Sequence, residues 1–136
     1  MMISTKGRYA LQIMLDLSQH EGEGYISLKK ISERQEISVK YLEAIIMNLN
    51  KAGFVESMRG KDGGYKLTRR PEEYTVGSIV KLAEGSVAPV SCLENNPYGC
   101  ERADRCLTLP VWIKLESIVS SYLDSITLRD VLDGNV

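Results

Sequence analysis

The sequence predicts a mainly α-helical chain with one small β-hairpin and a long C-terminal helix. Three observations predict it. Apolar residues recur at helical spacing through most of the chain. That period is broken once by two short β-prone runs around a glycine-rich turn. A third stretch, residues 91–106, follows neither period and holds all three cysteines. At 136 residues, 43% apolar and 26% charged, the chain suits one ordinary domain with an appended helix.

Ser4 or Thr5 caps a first helix that runs to about His20, with Gly22 and Gly24 ending it. Ala10, Ile13, Met14 and Leu17 form one stripe, and Leu11 and Leu15 a second. Two apolar faces predict cover from two sides, by the domain itself and by something outside it. Lys6, Arg8 and Asp16 interrupt this apolar run, which excludes a secretory signal, and no run approaches the ~18 apolar residues of a membrane span. The expected location is therefore cytoplasmic, where thiols stay reduced.

Ser27 caps a second helix from Leu28 to about Arg34, and Ser38 caps a third through Lys51. Leu42, Ile45, Ile46 and Leu49 make the inner stripe of the third; Val39, Lys40, Glu43, Ala44, Met47 and Asn50 make its outer face. Two short helices across a tight turn, the second polar on its outer N-terminal half, fit a helix-turn-helix. Gly53 stops the third helix. Phe54 to Met58 and Tyr65 to Leu67 then flank a turn holding Arg59, Gly60, Lys61, Asp62, Gly63 and Gly64, which reads as a hairpin. A helix-turn-helix followed at once by a basic-tipped hairpin is a winged helix.

Thr75 caps a fourth helix to about Glu84, with Val76, Ile79, Val80 and Ala83 on one face. Thr108 and Pro110 begin the long helix, which reaches about Ser125. Trp112, Leu115, Val119, Tyr122 and Ile126 recur at steps of three and four, a coiled-coil-like seam that predicts a homodimer. Thr127 and Asp130 form a capping box for a last short helix through Leu132. The predicted division is a winged helix-turn-helix domain over 1–84, a cysteine-bearing loop over 85–107, and a dimerisation helix with a short C-terminal helix over 108–136.

Net charge is −1, but its distribution is uneven. From Ser27 to Arg70 there are ten basic and five acidic residues; the rest holds seven and thirteen. A basic module inside an acidic frame points to the phosphates of double-stranded DNA. Ser38 and Lys40 are candidates for phosphate or base edges, and Tyr41 either touches the sugar-phosphate backbone or packs in the core. Glu43 either accepts from a cytosine amine or pairs with Lys40 or Lys51. Arg59 and Lys61, at the wing tip, are placed for a minor groove. An enzyme is not expected: the chain has one histidine and no nucleophile–base pair, and the glycines near 60–64 lack the ending of a phosphate-binding loop.

Cys92, Cys100 and Cys106 follow the pattern Cys-x7-Cys-x5-Cys. Thiolates suit iron–sulfur clusters, which normally take four ligands. Zinc is the rival metal, although its structural sites favour close cysteine pairs. A metal-free thiol redox switch is the third reading, with Arg102 and Arg105 lowering a nearby thiol pKa. The fourth ligand is open among Glu94, Glu101, Asp104, a partner residue, a small thiol and solvent. His20 is expected to be solvated.

Residues 4–10 (STKGRYA), Tyr41-Leu42-Glu43, Lys51-Ala52-Gly53, Arg59-Gly60 with Gly63-Gly64-Tyr65, and Ile126-Thr127-Leu128 together resemble the IscR/NsrR/CymR family of bacterial winged-helix regulators. The resemblance covers nearly the whole chain. It implies a homodimer on a palindromic operator, with Ser38, Lys40 and Glu43 on the recognition helix and Arg59 on the wing. The cysteine triplet with Leu107-Thr108 resembles the family's iron–sulfur branch, which implies a [2Fe-2S] cluster on Cys92, Cys100 and Cys106 that changes operator binding. Two positions depart from the pattern. Leu109 stands where that branch has a histidine ligand, and Arg8 where the nitric-oxide-sensing branch has an acidic ligand. A metal-free regulator that works through its thiols or through a protein partner is the alternative.

Overall fold

The computed structural model describes residues 3–94 and 100–136. Its elements are α1 (Thr5–Gln19), α2 (Leu28–Gln35), α3 (Val39–Lys51), β1 (Val55–Met58), β2 (Gly64–Leu67), α4 (Val76–Glu84), α5 (Leu109–Ser125) and α6 (Leu128–Asp133). Single 3₁₀ turns lie at Pro71–Glu73 and Ser91–Leu93. Ser4, Ser27, Ser38, Thr75 and Thr127 each precede a helix and accept a backbone N–H from its first turn. Each such cap contributes about 1 kcal/mol. The centre of the cysteine stretch, predicted as an exposed loop, lies at 95–99, outside the described residues.

The core gathers on α1, which packs against α2, α3, α4, α6 and β2. Ile13, Met14, Ile31, Leu42, Ile46 and Leu49 are buried there, as the helical periods predict. β1 and β2 pair antiparallel in the register Val55↔Leu67 to Met58↔Gly64. Tyr65 also exchanges both backbone hydrogen bonds with Ile26, each 2.8 Å, so the chain before α2 adds a third edge to the hairpin. Gly64 permits this approach, because a Cβ there would collide with the Ile26 backbone. The chain end returns to the same core. Val76 donates to Ile126 O at 2.8 Å, Leu128 donates to Tyr74 O at 3.0 Å, and Leu128 is fully buried.

The second face of α1 is partly covered from within the chain: Leu11 packs against the cluster of Val76, Val80, Val87 and Ile126, and both Leu11 and Leu15 stay half-buried. Along α5 the members of the predicted seam differ in exposure. Val111, Leu115, Ile118 and Tyr122 are exposed, whereas Trp112, Val119 and Leu123 are half-buried and Ile126 is buried beyond the helix end. α5 carries two apolar stripes one residue apart, and the predicted seam drew members from both. No helix among the described residues is long and apolar enough to cross a membrane.

Candidate nucleic-acid interface and thiol-bearing segment

α3 presents an outer face on which Lys40, Tyr41, Glu43, Ala44 and Met47 are exposed. Ser38 starts it with φ −62° and ψ 143°, and its hydroxyl accepts the Tyr41 N–H at 3.3 Å. The serine proton stays available for a phosphate oxygen. Lys40 and Glu43 enter no ion pair with a described residue, so the pairing of Glu43 with Lys40 or Lys51 is not formed. Tyr41 does not pack in the core: it is 40% exposed, with its ring against Tyr9 in an edge-on contact at 5.4 Å.

Arg59 and Lys61 stand exposed in the turn between β1 and β2, which closes through Gly63 N–H to Gly60 O at 3.1 Å. They too are free of ion pairs. The base of the wing is held by Tyr74, whose hydroxyl donates to Phe54 O at 2.8 Å and accepts from Thr68 N–H and Arg69 N–H at 3.1 and 3.0 Å.

Cys92 lies in the 3₁₀ turn after α4, and Cys106 lies just before α5. All three thiols are free and half-buried. The Cys106 sulfur is 3.3 Å from Thr108 Oγ1. That hydroxyl, then the N–H groups of Thr108 and Leu109, hold the Cys106 pKa below its ordinary value of 9.0, with Arg102 adding a smaller effect. Thr108 thus serves the thiol and gives α5 no side-chain cap, a role the sequence reading missed. Arg102, Arg105, Cys106, Leu107 and Thr108 line one open hollow.

The winged head and the long helix that follows it are shared with known proteins. The model of the Rrf2 family, described as an iron-dependent transcriptional regulator, matches residues 3–134. The chain belongs to the Rrf2 family. It is 43% identical over 135 residues to the transcriptional regulator IscR of Aliivibrio salmonicida (strain LFI1238), covering 99% of this chain and 79% of that one. Its structure matches that of T. potens IscR with a TM-score of 0.79 and 43% identity, over 100% of this chain and 89% of that one. It matches CymR, named as the global cysteine regulator of B. subtilis, with a TM-score of 0.78 and 42% identity, over 96% and 95%. This Rrf2 protein is accordingly a transcriptional regulator with the winged-helix fold of its relatives.

The donor set of this Rrf2 protein fits an iron–sulfur cluster in kind, since three soft cysteine sulfurs are present where four ligands are usual. The Leu109 side chain, 7% exposed, is apolar and buried, and Arg8 offers no ligand either. His20 is only partly solvated, because its Nδ1 is bound by Glu23 at 2.6 Å. Among the described residues no three His, Cys, Asp or Glu side chains stand together as a metal set, so the three thiols are placed on one segment but not gathered.

Proposed function

We propose that this protein is a homodimeric, cytoplasmic regulator that binds a palindromic operator in double-stranded DNA. In this reading α3 enters the major groove, with Ser38, Lys40 and Tyr41 at the backbone and Glu43 at a base amine, while Arg59 and Lys61 reach the minor groove. Cys92, Cys100 and Cys106 would hold an iron–sulfur cluster of the [2Fe-2S] type, with the fourth ligand unassigned. When bound, such a cluster supplies a redox- and iron-sensitive charge between the winged head and α5.

The observation that carries this reading is the placement of three free thiols on the segment joining α4 to α5, in a chain of the Rrf2 family. The winged head does its part without the metal. Ser38 sets the first turn of α3, the Tyr74 hydroxyl holds the wing base, and the unpaired cations supply the phosphate contacts. The test is purification without oxygen, followed by iron, sulfide and zinc analysis, an absorbance spectrum, and operator affinity before and after iron removal. Iron and sulfide in equal amounts, with an affinity that changes on removal, is the expected result.

A second reading has its own support. The lowered Cys106 thiol beside Thr108 and Arg102, together with thiols that are not gathered, favours a metal-free redox switch. Colourless protein whose operator affinity responds to thiol oxidation and reverts with a reductant would select it. In either case Arg59→Ala weakens operator binding, and unchanged affinity at physiological salt removes the wing contact.

A further inference from the structure

The junction between α4 and the cysteine-bearing segment is held by one carboxylate. Glu84 is the last residue of α4. Its Oε1 accepts three hydrogen bonds from the start of α1: Ser4 N–H at 2.8 Å, Ser4 O–H at 2.6 Å and Gly7 N–H at 2.9 Å. The first N–H groups of a helix have no partner inside it, and the positive end of the helix dipole favours an anion there. The Ser4 hydroxyl in turn accepts the Lys6 N–H at 3.2 Å, which joins carboxylate, serine and helix end into one polar chain. Gly7 leaves room for it, because a Cβ there would stand 2.6 Å from Oε1 and 3.1 Å from Cγ of Glu84. Burial alone raises the Glu84 pKa. The hydrogen bonds from Ser4 and Gly7 outweigh it and hold the carboxyl below its ordinary 4.5, so it is charged at neutral pH.

Both ends of this contact lead somewhere. On one side, Gly85 follows Glu84 directly and begins the segment that reaches Cys92. On the other, Tyr9 lies two residues beyond Gly7 and meets Tyr41 at 5.4 Å with the rings 78° apart. Tyr41 is in the first turn of α3, between Lys40 and Leu42 and two residues from Glu43. A continuous set of covalent steps and packed contacts therefore runs from the thiol-bearing segment to the recognition helix.

We infer that Glu84 is a positioning residue that transmits the state of the cysteine-bearing segment to α3, by holding or releasing Ser4 and Gly7 at the start of α1. With the thiols ungathered, as in this structure, the carboxylate is seated and Tyr9 is fixed against Tyr41. Engagement of the thiols draws the segment in, lifts Glu84 from the helix end and lets the N-terminal turn of α1 shift with Tyr41. The inference rests on the proposed reading that thiol engagement changes operator affinity. The two-state element is the seated or released carboxylate.

The test compares full-length wild type with Glu84→Ala, Gly7→Ala and Glu84→Gln. Operator affinity is measured with the thiols free and with them engaged, by iron where the protein purified without oxygen carries it and by diamide, which oxidises a pair of thiols to a disulfide, where it does not. Wild type should change by about fivefold or more, and Glu84→Ala and Gly7→Ala by less than about twofold. Gly7→Ala is informative because alanine favours the helix intrinsically while displacing the carboxylate. A purely structural role would then spare it. Glu84→Gln keeps an acceptor and should recover part of the wild-type ratio. Amide exchange at Ser4 and Gly7 should also rise in wild type when the thiols are engaged.

If Glu84→Ala and Gly7→Ala keep the full wild-type ratio, the inference is overturned and the functional reading stands. If the wild-type affinity does not respond, the functional reading fails. The inference, which rests on that reading, then falls with it.

Discussion

Asp16 is the buried charge of the core, 1% exposed among the described residues. Its carboxylate receives Arg34 Nε at 2.9 Å, Arg34 Nη2 at 2.7 Å and Gln35 Nε2 at 3.0 Å, which ties α1 to the end of α2. Burial by itself raises the Asp16 pKa; the bonds from Arg34 and Gln35 outweigh it and hold the carboxyl below its ordinary 3.8. A depressed carboxyl stabilises the fold fully above that ordinary value, and the contribution is lost as pH falls through the folded value. Asp16→Ala should therefore cost about 2 kcal/mol at pH 7, less than breaking a fully buried pair because the partly exposed Arg34 can rehydrate. Urea unfolding of both proteins checks it, and the gap between them should narrow as pH falls below 3.8. The sequence showed Asp16 only as a polar break in an apolar run. Its partner sits 18 residues away, outside any helical period, so the pairing could not be read.

At the scale of elements, periodicity was a good guide wherever one face is buried by one neighbour. The inner stripes of α1 and α3, the caps of α1, α2, α3, α4 and α6, and the hairpin all follow from spacing and turn chemistry. It failed where a helix has two apolar stripes, as in α5, because spacing alone does not tell which stripe meets the protein. It was also silent on Tyr74, a buried aromatic whose value lies in three backbone partners on two separate segments. The Arg69 guanidinium lies over the Phe54 and Tyr74 rings at 5.5 and 5.6 Å, which extends this joint to the surface. Tyr74→Phe leaves Phe54 O and two N–H groups without that hydroxyl and should cost about 2 kcal/mol. The measurement is chemical unfolding, paired with operator affinity. Affinity should fall along with stability, because the wing base loosens while the tip cations are intact. Undiminished stability would show that the joint is held by the rings alone. The exposed polar positions on α3 and the wing were thus largely legible, since they follow from the same periods that define the core. The arrangement of the thiols was not, because the segment that carries them has no period.

At the scale of the whole molecule, α5 carries an apolar stripe that the described residues of its own chain leave exposed. Val111, Leu115, Ile118 and Tyr122 keep 57%, 38%, 56% and 54% of their surfaces exposed on one face of α5. The opposite side of that helix is seated on α4, where Lys81 Nζ meets Asp124 Oδ2 at 2.8 Å. A helix of 17 residues is about 25 Å long, enough for two copies to cross and bury this stripe symmetrically. Such pairing would also set two winged heads at a fixed separation, as two operator half-sites require. Ile118→Glu places a carboxylate in the middle of the stripe on each copy. Because Ile118 is exposed in the single chain, the helical content should be unchanged. Sedimentation at micromolar concentration should instead report a monomer where the wild type reports a dimer. Operator affinity should fall by about a hundredfold or more, since each head then binds without the effective concentration that the other supplied. A variant that stays dimeric would place the interface elsewhere. One that turns monomeric yet keeps its affinity would mean that a single head suffices for the operator.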